Sequence, residues 1–163
     1  AASEAALAAH STAVKLDKHQ SESHAMLGTL YGMKIRGGLL RAVRYGPRSA
    51  KHQKLALEQG ASNPRVQYLL GAGRFHTAKK RSQWSDALRT LQTAEKLFQA
   101  AAATVAAPLE PRWGHATCLT FIGRTFEKLG QSTEAAAYFR RALEMHPQDS
   151  VARGGLKRVN QDN

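Results

Sequence analysis

Apolar positions recur on a helical period along most of the chain, and the period is clearest over residues 116–147. There Leu119, Ile122, Gly123, Phe126 and Leu129 share one face of a helix. Gly130 ends it, because a residue without a Cβ turns back readily through the left-handed region. Ala135, Phe139, Ala142 and Leu143 mark the facing stripe of a second helix, and Pro147 closes the pair. Small residues at Gly123, Ala135 and Ala142 allow the two backbones to approach closely.

The same reading predicts helices elsewhere. Residues 4–18 place Ala6, Ala13 and Leu16 on one side, with Ala6 and Ala13 spaced as Ala135 and Ala142 are. They form the second helix of a hairpin that lacks its first. Residues 21–35 carry Leu27-Gly28-x2-Tyr31, the counterpart of Ile122-Gly123-x2-Phe126. Residues 63–76 carry Leu70-Gly71, with Pro64 at the first turn, where its missing N–H costs nothing. Gly28 and Gly71 are 43 residues apart. The excess over a regular repeat is assigned to an insertion around Gly37-Gly38 and Tyr45-Gly46-Pro47, with one helical turn at Leu39-Leu40-x2-Val43. The second helix of that unit is then residues 48–58, ended by Gly60. A basic linker, residues 79–84, precedes a helix over 85–99 with the stripe Ala87, Leu91 and Ala94. Residues 100–114 are an apolar loop with Pro108, Pro111 and Trp113, and Trp113 is expected to pack onto the helices. A last helix, 150–159, has Leu156 in phase but Lys157 where glycine would stand.

Taken in order, these residues spell large–x2–Leu–Gly–x2–aromatic, then Ala–x3–aromatic, then Pro. The chain thereby resembles tetratricopeptide repeat (TPR) proteins, whose unit is a helical hairpin of about 34 residues. Leu119 stands where the pattern usually has Trp. The resemblance implies an all-α, right-handed α-solenoid of about three and a half helix-turn-helix repeats in a single domain, 1–163. Its parts are a half repeat (1–18), enlarged repeats (20–60 and 63–107), a regular repeat (115–147) and a capping helix (149–160). The run Asn63-Pro64-Arg65-Val66-Gln67-Tyr68-Leu69-Leu70-Gly71 and the enlarged second unit also resemble a group of uncharacterised bacterial TPR proteins over residues 20–150. The layout is more distantly similar to the TPR domain of regulator-of-microtubule-dynamics proteins.

Composition adds bounds. A chain of 163 residues suits one domain, and no apolar run approaches the length of a membrane-spanning helix. Its one cysteine, Cys118, excludes an internal disulfide and any multi-cysteine metal site. The small-residue start Ala1-Ala2-Ser3-Glu4 fits cleavage of a secretory signal, which favours a periplasmic or secreted location over the cytoplasm. Charge is more informative. Residues 23–85 hold twelve Lys/Arg against one acid, Glu58, so they carry +11 of the net +12.

No constellation for catalysis assembles: there is no His-Glu-x2-His, Walker A loop or Gly-x-Ser-x-Gly. Gly71-Ala72-Gly73 falls inside a helix and reads as packing. His115 and Cys118 share a helix face, but two ligands do not make a structural zinc site. The expectation is a non-enzyme with no cofactor and no metal.

The basic segment is the functional candidate. Its cations lack acidic i,i+4 partners and are mixed with aromatics. The residues proposed to meet a partner are Arg36, Arg41, Arg44, Arg48, Arg65, Tyr68, Arg74, Phe75, His76, Lys79, Lys80 and Arg81. The TPR resemblance implies that first helices line an inner groove, which puts Arg65, Tyr68, Ala72, Phe75 and His76 in one row. Thr29, Ala72 and Arg124 stand where the family's chaperone-tail clamp has Asn, so that clamp is not expected. The partner is expected to be a protein with an acidic or extended segment. The alternative is a polyanion, either nucleic acid or an anionic membrane surface.

Overall fold

The computed structural model describes residues 2–35, 38–103 and 113–161. These hold eight helices and, among the described residues, no strand. They are α1 (Ala2–Leu16), α2 (Ser21–Lys34), α3 (Leu39–Gly60), α4 (Pro64–Thr77), α5 (Arg81–Ala102), α6 (His115–Lys128), α7 (Ser132–Met145) and α8 (Ser150–Gln161). The most extensive contacts are within the hairpins α2–α3, α4–α5 and α6–α7. Successive first helices also pack on one another, α2 on α4, α4 on α6 and α6 on α8, whereas among the described residues the backbones of α3, α5 and α7 stand further apart, α5 and α7 meeting through side chains. An array whose inner layer is in contact and whose outer layer is splayed must bow toward the inner layer.

The signature glycines mark where each hairpin crosses. A Cβ on Gly28 would lie 2.7 Å from Gln53 Cγ, one on Gly71 2.7 Å from Leu91 Cγ, and one on Gly123 2.8 Å from Phe139 Cδ1. No larger residue fits while the helices keep this spacing. Gly130, at φ +73°, makes the turn between α6 and α7. Leu27, Leu70, Leu119, Ile122, Phe126, Ala135, Phe139 and Ala142 are all buried. Two apolar clusters result. One joins α5 to α8 around Leu91, Ile122, Phe139 and Val159. The other joins α2, α3 and α4 around Ala25, Ala56, Val66 and Leu70. Tyr68 packs against both.

Local capping follows the sequence in two places. Asn63 caps α4, its side chain accepting the Arg65 N–H at 2.9 Å, with Pro64 in the first turn. Asp149 Oδ1 accepts from the Val151 and Ala152 N–H groups at the start of α8 and ties α8 to α6 through Thr120 Oγ1, which donates to its Oδ2 at 2.6 Å. Satisfying these orphan donors fixes where each helix begins.

Four expectations change. The second helix of the enlarged unit starts at Leu39 rather than 48 and runs unbroken through Gly46 and Pro47. Proline removes one backbone bond from the helix. Packing on α2 outweighs that loss: Tyr45 stacks on Tyr31 with centroids 6.0 Å apart, and Ser49 Oγ donates to the Gly28 carbonyl at 2.7 Å. The insertion is therefore an extension of a helix. Similarly, α5 begins at Arg81, so most of the expected basic linker is its first turn, steadied by Gln83 Oε1 accepting the Lys79 N–H at 2.8 Å. In α8 the close approach is made by Gly155 against the Phe139 ring, two positions before Lys157. Finally, α1 has no buried residue, and its His10 Nδ1 meets Ser23 Oγ of α2 at 3.2 Å. Of the expected apolar loop, residues 104–112, with Pro108 and Pro111, lie outside the described residues.

Candidate functional site

The inner layer presents an aromatic row built from α4, α6 and Trp113. Spacing within α4 puts Tyr68 about two turns from Phe75 and His76, and α6 inserts Phe121 between them. Phe121 is 6.0 Å from Tyr68, 5.5 Å from Phe75 and 5.3 Å from His76, ring centre to ring centre. Trp113 stands edge-on to Tyr68 at 6.3 Å and remains 45% exposed. Burial pushes the Tyr68 hydroxyl pKa up to about 12, so it stays a neutral donor. Arg124 of α6 lies across Phe75 at 4.6 Å and Phe121 at 5.0 Å. Burial lowers its pKa, yet a guanidinium remains charged, and among the described residues it has no ion-pair partner. A cation held over two rings, without a direct ion-pair partner among the described residues, suits a carboxylate.

Arg65 corrects a sequence expectation. Rather than lacking an acid, its Nε donates to Glu22 Oε1 at 2.7 Å, and its side chain is only 11% exposed. Glu22 also accepts from Asn63 Nδ2 at 2.9 Å. Arg65 ties α4 to α2 and reaches over Trp113 at 6.0 Å. Beside it, Met26, Leu69 and Trp113 floor a cleft of about 470 Å³ whose rim carries His10, His19 and Glu22. The groove thus has an apolar recess toward α2 and an arginine on aromatic rings toward α6.

The remaining candidates gather at one edge of the array, where α2 and α4 end and α3 and α5 begin. The Thr77 methyl is 3.8 Å from where a Gly32 Cβ would lie, which holds those ends together. Arg41, Arg44, Arg48, Lys79, Lys80 and Arg81 are exposed there, and among the described residues none has an ion-pair partner. Arg44 and Lys34 lie over the Tyr45 ring at 5.5 and 5.7 Å, and Arg48 over Tyr31 at 6.0 Å. Arg74 is exposed on the far side of α4 and donates to Thr90 Oγ1 of α5. Arg36 lies outside the described residues.

The twelve candidates therefore fall in separate places. Tyr68, Phe75, His76 and Arg65 share the groove; the other described ones do not enter it. Sequence reasoning missed Phe121 as a groove residue and Glu22 as the partner of Arg65. In the sequence Arg124 stands out only as a position where the chaperone-tail clamp lacks its Asn. Phe121 was findable, since it stands beside Ile122 at the margin of the buried stripe, half-buried against the core. Elsewhere, Cys118 is buried with Sγ 3.5 Å from the Leu91 carbonyl, and burial raises its pKa, which leaves a thiol without nucleophilic character. His115 stacks on Phe98 at 5.1 Å. No group of three His, Cys, Asp or Glu side chains comes together among the described residues.

Stacked antiparallel hairpins, crossing at regularly placed glycines and lining an inner groove with their first helices, define a helical-repeat protein. The tetratricopeptide repeat family model matches residues 86–148, from within α5 to the turn before α8. Over those residues the chain carries tetratricopeptide repeats, within an all-α array of helical hairpins. No curated protein matches it. Repeats of this family are non-catalytic and generally mediate protein–protein interaction, so the architecture is that of an interaction scaffold.

Proposed function

We propose that the inner groove binds an extended, acidic segment of a partner protein. The carrying observation is Arg124, which lies over Phe75 and Phe121 and has no direct ion-pair partner among the described residues. A carboxylate on the partner would take its free edge. An apolar side chain on the same segment would enter the recess between Met26, Leu69 and Trp113. Extended peptides project side chains alternately, so one strand-like segment can address both features at once. The surrounding excess of cations in residues 23–85 would speed encounter without deciding specificity.

An array of extended peptides, each with Asp or Glu flanking one Leu or Phe, supplies the probe, and anisotropy measures the best binder. Arg124→Glu is expected to weaken it at least tenfold, about 1.4 kcal/mol, and Trp113→Ala by a similar factor. Lys79→Glu, on the distant edge, should alter mainly the association rate. If both groove variants bind as wild type does, the groove is the wrong surface.

A further inference from the structure

The first two turns of α3 are the most unusual surface on the molecule. Leu39, Leu40 and Val43 are 80%, 87% and 68% exposed, more than a packed helix leaves to aliphatic side chains. They are exposed because α3 outruns its partner. Lys34, the last residue of α2, lies over Tyr45, so residues 39–44 extend beyond the hairpin by roughly 9 Å at 1.5 Å per residue. Leu39 and Val43 share one face of this overhang, while Arg41, Arg44 and Arg48 share another. Lys34 and the start of α1 flank it, enclosing with Arg41 and Arg44 a cleft of about 530 Å³ in which Glu4 is the one acid.

We infer that this overhang docks the protein on an anionic membrane surface. The cleft beside the tip is lined mainly by polar and charged side chains, Ser3, Glu4, Lys34, Arg41 and Arg44, which gives a partner helix no apolar groove, and aliphatic side chains add nothing to phosphate contacts on nucleic acid. A lipid interface uses both features together: Leu39, Leu40 and Val43 enter the acyl boundary, and the arginines stay level with the headgroups on their flexible stems. The cations of the α4–α5 turn, Lys79, Lys80 and Arg81, follow the α4 end that meets the end of α2 and would face the same plane. No described helix is long and apolar enough to cross a membrane, so the contact is superficial. It uses a different surface from the inner groove and stands or falls independently of it.

The test is co-sedimentation with phosphatidylcholine vesicles, with and without phosphatidylserine, at low and at physiological salt. Wild-type protein should bind the phosphatidylserine vesicles, weaken as salt rises, and bind phosphatidylcholine alone poorly. Leu39→Ser with Leu40→Ser, which touches no packed side chain, should lose at least tenfold in binding with an unchanged circular dichroism melt. Arg41→Gln with Arg44→Gln should lose about fivefold per cation. Arg124→Glu and Trp113→Ala should bind the vesicles as wild type does. The inference is overturned if wild-type protein ignores anionic vesicles at low salt, or if the serine variant binds them undiminished. It is likewise overturned if the exposed leucines serve a second copy instead, seen as a dimer that the serine variant dissolves while vesicles bind neither form.

Discussion

Gly154 and Gly155 are neighbours in α8 with opposite expected responses to one added methyl. At Gly154 the nearest atom to a new Cβ is Arg158 Nη1 at 3.6 Å, ordinary contact, so Gly154→Ala should raise stability by about 0.5–1 kcal/mol through helix propensity. At Gly155 the methyl would overlap the Phe139 ring, and Gly155→Ala should lower stability by about 1–3 kcal/mol. Thermal denaturation of the two variants decides it, and equal shifts would refute the packing described. His52 gives a pH dependence. Its Nδ1 faces that of buried His24 at 2.8 Å, so one ring must donate and the other accept. Burial, with help from His24 and Lys51, pushes the His52 pKa below its ordinary value of 6.5. The unfolded chain therefore takes up the proton first as pH falls through that value. Stability is complete above it and declines below it until the folded-state pKa is passed. The melting temperature should drop from about pH 7.5 to about pH 5, and His52→Gln should flatten part of the slope. His115, also lowered by burial, keeps the remainder. Residues whose role is set by their own helix, such as Gly28, Gly71 and Gly123, were legible in the sequence because helical period alone aligns them. Glu22 with Arg65, and His24 with His52, were not, since each pair meets only after hairpins close across long stretches of chain.

At the level of elements, α3 and α5 show where local rules yield. Gly46-Pro47 reads as a turn, and a continuous helix results because Tyr45 and Ser49 on either side of it are held by α2, with Gln53 packed against Gly28. Period counting found the surplus residues but could not say whether they loop out or prolong a helix. Both long outer helices carry ties that reach other units. Glu95 of α5, buried, accepts from Tyr138 Oη at 3.1 Å and Arg141 Nη2 at 2.5 Å on α7. Glu95→Ala would strand both donors at once and should cost about 1–3 kcal/mol, read as a shifted urea midpoint with an unchanged slope. A much smaller shift would mean that water replaces the carboxylate without loss. The groove was half legible for a related reason: α4 declares its inward row by period, but the partner ring Phe121 and the stacked Arg124 come from the next unit.

Over the whole molecule, stability divides unevenly. The cluster from α5 to α8 contains the large side chains Leu91, Ile122, Phe126 and Phe139, whereas the α2–α4 cluster is built mainly on alanines, Val66 and two leucines. Stacked repeats unfold as linked neighbours rather than as one body. Native-state hydrogen exchange should therefore show α1–α3 amides opening at lower free energy than those of α6 and α7. Uniform protection across both halves would contradict this. The joint between the halves has a particular construction. Helix α2 packs along α4, while α3 touches α4 only sparsely, unlike α5 on α6 or α7 on α8. The second unit is thus held to the third mainly by its inner helix. Bending stiffness in a stack depends on how far apart its attachments lie, and here they lie close to a single line. The array should flex at that line before anywhere else, like a strip hinged along one edge. A segment lying in the groove from α2 to α6 would brace the hinge, so occupancy would register as a change in the curvature of the entire array.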